Sequence, residues 1–218
     1  MSSDRTRSET TREQLLVAAE TAVLAKGFGA TSIDELIAAV GISKSGFFYH
    51  FRDKSELAKA LLQRYVDADD RLLDDIFAKA DDLHEDPLHA FLIAMKMIAD
   101  VFRDLPSGHP GCMVASICYH EQQFHSDVRE LNVKAVLAWR TRFRSRLEQI
   151  AVQYPARIAV SLDDLADMFS SVADGGIIIS RVTHDHEVLA RQMLLYRDFV
   201  RLVFSDPPKV RDLGSSSF

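Results

Sequence analysis

The run Ser43-Lys-Ser-Gly-Phe-Phe-Tyr-His50 gathers hydroxyls, an ammonium, a phenol and an imidazole within eight residues, a set suited to hydrogen bonding rather than to making or breaking bonds. If the run is helical, Ser43, Lys44 and Ser45 form a leading tip short enough for the backbone to approach a nucleic-acid groove, and Tyr49 and His50 lie at its far end. Lys54, in the first turn of the next expected helix, places a cation where backbone N–H groups already point outward, a natural phosphate anchor. The chemistry this implies is recognition of double-stranded DNA.

Other groupings are weaker. Cys112 and Cys118 make no disulfide framework and have no metal-ligand spacing. His184-Asp-His186 offers two imidazoles in a tight turn without further ligands, and His120, Glu121 and His125 lack the HExxH pattern. No Gly-rich phosphate loop, nucleophile elbow or paired-carboxylate site stands out, so no enzyme, cofactor or metal is expected. Cys112 keeps two readings: a thiolate stabilised at the start of a helix after Pro110, which would suit redox or electrophile sensing, or a small buried side chain. Arg140, Arg142, Arg144 and Arg146 alternate around one helix and are expected on a solvated surface.

The elements that must position the DNA-reading run are legible from punctuation. Leu15, Leu16, Ala19, Val23 and Leu24 form a helical stripe over 11–25 that stops at Lys26-Gly27. Ser32-Ile-Asp-Glu35 is a capping box opening a helix over 33–40, and Gly41 ends it. Gly41 and Ile42 then turn the chain sharply into the run from Ser43, a helix-turn-helix arrangement. Asp53-Lys-Ser-Glu56 opens a long helix towards Lys79. Further helices are expected over about 87–104, 111–123, 126–153, 162–183 and 186–204, separated by Asp86-Pro87, Leu105-Pro-Ser-Gly-His-Pro110, Tyr154-Pro155 and Thr183-His-Asp-His186. No alternating strand pattern is present. The expected fold is all-α with about nine helices: a three-helix DNA-binding domain over 1–55, a larger helical bundle over 56–206, and a tail over 207–218.

Charge distribution agrees. The net charge is -6, yet residues 1–60 hold 8 Lys and Arg against 8 Asp and Glu, and the remainder hold 18 against 24. Arg5, Arg7, Arg12, Lys44, Arg52 and Lys54 put the basic groups beside the recognition run, enough for a local phosphate footprint. Hydrophobic residues make up 47% of the chain, sufficient for a sizeable core. The polar start lacks a signal-peptide pattern and no apolar run is long enough for a membrane span, so a soluble cytoplasmic protein with no membrane partner is expected.

The N-terminal pattern also resembles a known family. Thr31-Ser-Ile-Asp-Glu-Leu-Ile, followed by Val40-Gly-Ile-Ser-Lys-Ser-Gly-Phe-Phe-Tyr-His-Phe-Arg-Asp-Lys-Ser-Glu-Leu57, is similar to the DNA-binding signature of the TetR family of transcriptional regulators, and Ala18-Ala19 and Gly27-Phe28 extend the match. The resemblance covers roughly residues 11–60. It implies that Thr31, Ser43, Tyr49, His50 and Lys54 touch phosphates, that Lys44, Ser45 and Phe47 face bases, and that Phe48 and Phe51 are core. Phe48 departs from the Leu or Ile common there. The implied function is a one-component regulator, a repressor by expectation, that binds a palindromic operator as a homodimer and is released by a small-molecule effector.

After residue 60 the resemblance fades. Two stripes near the C-terminus suit a dimer interface: Leu165, Phe169, Val172 and Gly176 on one helix, Met193, Tyr196 and Val200 on the next. The Gly175-Gly176 pair inside a helix costs about 1 kcal/mol per Gly against Ala, so a packing role is expected. The other reading of these stripes is the core of a monomer. For the effector, aromatic, Met and polar residues concentrate at Phe91, Met95, Phe102, Met113, Ser116, Tyr119, His120, Phe124, Trp139 and Phe143, a mixture suited to an apolar pocket and equally to plain core.

Overall fold

Each capping signal in the N-terminal third forms the end it marks. In the computed structural model, which describes residues 2–204 with side chains from Glu9 onward, Ser32 Oγ accepts the Glu35 N–H at 3.1 Å and starts α2 (Ile33–Val40). Gly41, at φ 73°, ends it by donating its N–H to the Ile37 carbonyl at 2.9 Å. Ser43 Oγ accepts the Gly46 N–H at 3.1 Å and starts α3 (Lys44–His50). Asp53 accepts the Glu56 N–H at 2.9 Å while the Glu56 carboxylate accepts the Arg52 N–H at 2.8 Å, so α4 (Lys54–Leu83) begins with a reciprocal box.

The first helix, α1 (Ser2–Ala30), is longer than the expected 11–25 and kinks at Gly27, where φ is 81°. Beyond α4 come α5 (Pro87–Arg103), α6 (Met113–Cys118), α7 (Ser126–Gln153), α8 (Leu162–Thr183) and α9 (Glu187–Phe204). The segment expected as one helix over 111–123 is instead the short α6 and a single 3-10 turn, Glu121–Gln123, because the His120 N–H turns back to the Ile117 carbonyl and tightens the chain. No strand occurs among the described residues. The tail expected at 207–218 lies outside them, as do the side chains of Arg5 and Arg7.

Two buried clusters organise the helices. One joins Leu15, Ala19 and Phe28 of α1 to Leu36, Phe47, Phe51, the first half of α4, α6 and the start of α7. The other gathers Ile76 and Phe77 of α4 with α5, the C-terminal half of α7, α8 and α9. At about 1.5 Å rise per residue, α4 runs about 45 Å through both, with its two halves serving the two cores.

The arginines of α7, expected on a solvated surface, clamp that helix to its neighbours. Arg140 grips Asp167 of α8 through two bonds of 2.8 and 2.6 Å, Arg142 reaches Asp70 and Asp74 of α4, and Arg146 holds Asp81 while covering the Phe77 ring. Arg144 pairs with Asp163 and Glu148. Alternate positions on a helix diverge by about 200°, which lets one row of arginines serve α4 on one side and α8 on the other.

Candidate functional site

The outer side of α3 is polar and uncovered. Lys44 and Ser45 stand exposed at its start and Tyr49 is 76% exposed near its end. Lys44 leans on Asp34 of α2 at 3.3 Å, an exposed pair of little energetic worth. Ser43 uses its hydroxyl as the α3 cap and shares it with Ser45 at 2.9 Å. The Tyr49 and His50 rings meet edge to face at 5.0 Å. Burial and the nearby Arg12 guanidinium hold the His50 imidazole below its ordinary pKa, so it is neutral at pH 7. Arg12 itself lies over the Phe51 ring, and Arg52 is exposed at the other edge of the face.

The structure places several residues of this face otherwise than the resemblance implies. Phe47, expected against bases, is 0% exposed and packs on Phe51, while Phe48, expected as core, is 45% exposed. Successive helical residues are rotated by about 100°, so a shift of one position exchanges core for groove. Thr31, expected on a phosphate, is buried, and its hydroxyl donates to the Gly27 carbonyl at 3.0 Å, closing the α1 kink. Lys54 points its ammonium at the Phe28 carbonyl, tying α4 to the end of α1, and burial holds its pKa below the usual lysine value.

A cavity of about 90 Å³ lies between α4, α5, α7 and α8. Of the residues expected at an effector, Phe102 and Trp139 line it. Phe91, Met95, Met113 and Phe143 are solid core, Tyr119 is 77% exposed, and Phe124 meets Phe28 edge to face. Ser116 donates its hydroxyl to the Cys112 carbonyl, and His120 bonds the Ser116 carbonyl beside Gly29. The cavity's polar side chains are instead Tyr65, Asp69, His109, Cys112, Ser170 and Asp174. Asp69 had a sequence signal: it shares the heptad line of Leu62, Val66, Leu73 and Ile76, an acid on the buried stripe of α4.

Burial governs the charges there. It pushes the Cys112 thiol up to about 12, with Asp174 adding to the effect, which favours the neutral thiol over the thiolate. Burial also takes His109 down to about 4 and raises Tyr65, so both are neutral near pH 7. Asp174 is raised by burial, offset in part by a hydrogen bond from the Cys112 thiol. Asp69 is raised to about 7 by burial and then by Asp70, and has no hydrogen bond or ion pair among the described residues. An acid raised on folding binds more protons in the native state, so its contribution falls as pH rises from about 4 to about 7 and stays unfavourable above. Asp69→Asn is therefore expected to stabilise the unliganded protein at pH 8 by on the order of 2 kcal/mol and to change little near pH 4. Thermal melts of both proteins across that range test it, and equal melting at pH 8 overturns it.

The stripes expected to form a dimer interface are internal. Leu165, Phe169, Gly176, Met193, Tyr196 and Val200 are buried within one chain, Val172 is half-buried, and the Tyr196 hydroxyl donates to the Leu165 carbonyl at 3.0 Å. A Cβ on Gly176 would come within 3.2 Å of the Leu189 Cα, so this glycine sets the α8–α9 approach. The uncovered apolar side chains of these helices are Ile178, Ile179 and Val182 on α8 and Leu195 and Leu202 on α9, with Gly175 open beside them. At the end of α8, Arg181 donates to the Leu24, Ala25 and Pro110 carbonyls at 3.0 to 3.2 Å, fastening α8 and the 105–112 loop to the end of α1.

Comparison with known proteins bears on both regions. Residues 15–61 match the family described as bacterial regulatory proteins, tetR family. The probable HTH-type transcriptional regulator ArpR of Pseudomonas putida is 29% identical over 129 residues, 58% of this chain and 59% of that protein. The HTH-type transcriptional activator FasR of Mycolicibacterium smegmatis is 43% identical over 56 residues, 26% of each chain. The match thus spans about 59% of the length of the former and about a quarter of the latter. Among solved structures, a TetR-family regulator from Agrobacterium tumefaciens superposes with a TM-score of 0.74 at 18% identity, covering 91% of this chain and all of that one. Reduced NemR of E. coli gives 0.70 at 18% identity over 91% of this chain. At such identities the structural likeness establishes the fold.

Proposed function

We propose that the chain is a transcriptional regulator of the TetR family, on the match of residues 15–61 and the shared fold, that two copies bind a palindromic operator through α3, and that a small molecule in the α4–α8 cavity releases them. The observation that carries the DNA reading is the division of α3: Phe47 anchors one side in the core while Lys44, Ser45, Phe48 and Tyr49 remain uncovered on the other. We read Lys44, Ser45 and Phe48 as the base-facing group. Tyr49, His50, Ser43 and the N-terminus of α4 are read as phosphate contacts.

Two routes link cavity to recognition helix. Tyr65, Asp69, Leu73 and Ile76 stand on α4, whose first turn follows α3 directly, and Asp174 stands two turns before Arg181, which holds the end of α1. Symmetric dimers present their recognition helices to major grooves about 34–36 Å apart, so a small tilt of α4 spoils the spacing. Repression is the direction we adopt, and the sign of a reporter's response to deletion of the gene decides it.

Titration of labelled DNA from upstream of the protein's own gene tests the DNA reading. Saturable binding is expected, weakened about tenfold by Tyr49→Ala, with Lys44→Ala lowering the preference for operator over unrelated DNA. Binding indifferent to both substitutions overturns the assignment of α3.

A further inference from the structure

Four acids of α4 and α8 outside the cavity, Asp70, Asp74, Asp81 and Asp167, each meet an arginine of α7. The two carboxylates facing the cavity do not. Asp69 has no partner among the described residues, and Asp174 has only the Cys112 thiol, itself held by the Ala115 N–H at 3.4 Å. Apart from Ser170 and the neutral Tyr65, His109 and Cys112, the lining is apolar, with Phe102, Trp139 and Phe169 supplying aromatic walls. The remaining titratable groups, Tyr65, His109 and Cys112, bring no positive charge at neutral pH. An uncompensated carboxylate in apolar surroundings is unfavourable until a cation joins it, and aromatic faces favour the same charge.

We propose that the cavity binds a compact organic cation, a protonated amine or quaternary ammonium, with its charge at Asp69 and Asp174 and its apolar body against Phe102, Trp139 and Phe169. A cavity of about 90 Å³ is well below the 300–1,000 Å³ of drug-sized sites and suits a body of about one ring. This names the ligand class of the effector site proposed above and rests on that reading for its consequence at DNA, not for binding itself.

Trp139 is the sole tryptophan of the chain and stands on the cavity wall, so its emission reports occupancy. The probes are benzylamine, benzyl alcohol and benzoate, nearly the same shape with positive, zero and negative charge, followed by Trp139 fluorescence and by calorimetry at pH 8. Benzylamine is expected to bind at least tenfold more tightly than the other two, and Asp69→Asn and Asp174→Asn to abolish that preference while leaving benzyl alcohol unchanged. Between pH 8 and pH 6 the preference narrows as Asp69 takes up a proton. Asp174, also raised, moves the same way, Asp70 is held by Arg142, and Tyr65, His109 and Cys112 keep their neutral forms. Equal binding of the three probes, benzylamine that gives neither an emission change nor heat, or variants that keep the preference overturn the proposal. Benzylamine that binds while operator DNA stays bound leaves the cation site standing and overturns the effector reading. DNA released by benzyl alcohol with no benzylamine binding does the reverse.

Discussion

Phe47→Ala is expected to cost the N-terminal helices roughly 3–5 kcal/mol and to abolish DNA binding by unfolding them, because the ring is wholly buried between α1, α3 and α4. Phe48→Ala, one position on, is expected to leave the melting temperature within a degree or two and to weaken operator binding alone. The contrast is diagnostic because both residues are Phe and adjacent. Circular dichroism melts with DNA titration of each variant measure it. A Phe47→Ala protein that melts like the parent, or a Phe48→Ala protein that unfolds, refutes this orientation of α3.

The second large effect concerns assembly. Ile178 and Val182 lie one turn apart on the uncovered face of α8, with Gly175 on the same line offering no side chain to hold a partner away. Placing carboxylates there, as Ile178→Glu with Val182→Glu, is expected to give a folded monomer whose operator affinity falls at least 100-fold, the loss that follows when two linked half-site contacts become independent. Met193→Glu, in contrast, buries a charge inside the chain and is expected to unfold it, since Met193 is wholly buried between α5, α8 and α9. Sedimentation and melting of the variants separate the two outcomes. A double variant that sediments as a dimer removes this face from the interface.

The sites differ in how far they were legible. The α2–α3–α4 unit is built from local signals, Ser32, Gly41, Ser43 and Asp53, each acting on backbone groups within four residues of itself, and all four ends form where the sequence places them. The cavity is built from α4, α5, α7 and α8, with Tyr65 and Asp174 more than 100 positions apart, and composition alone pointed to the middle helices. There the aromatics at Phe91 and Phe143 close a core rather than line a hole. The acid on an apolar stripe, Asp69, was the informative residue.

What the sequence determined by itself is most of the helices and the caps of α2, α3 and α4, because capping, turn chemistry and helical period are short-range effects. The tertiary structure decided which side of each helix is inside. Leu165, Tyr196 and Val200 make an apolar stripe that serves a dimer or a monomer core equally well by period, and only the packing of α8 against α9 through Gly176 assigns it to the core. The same holds for Phe47 against Phe48, for the α7 arginines, and for the Cys112 thiol raised by surroundings drawn from other helices. Burial is a property of neighbours brought from far along the chain, and period alone cannot choose between two apolar faces.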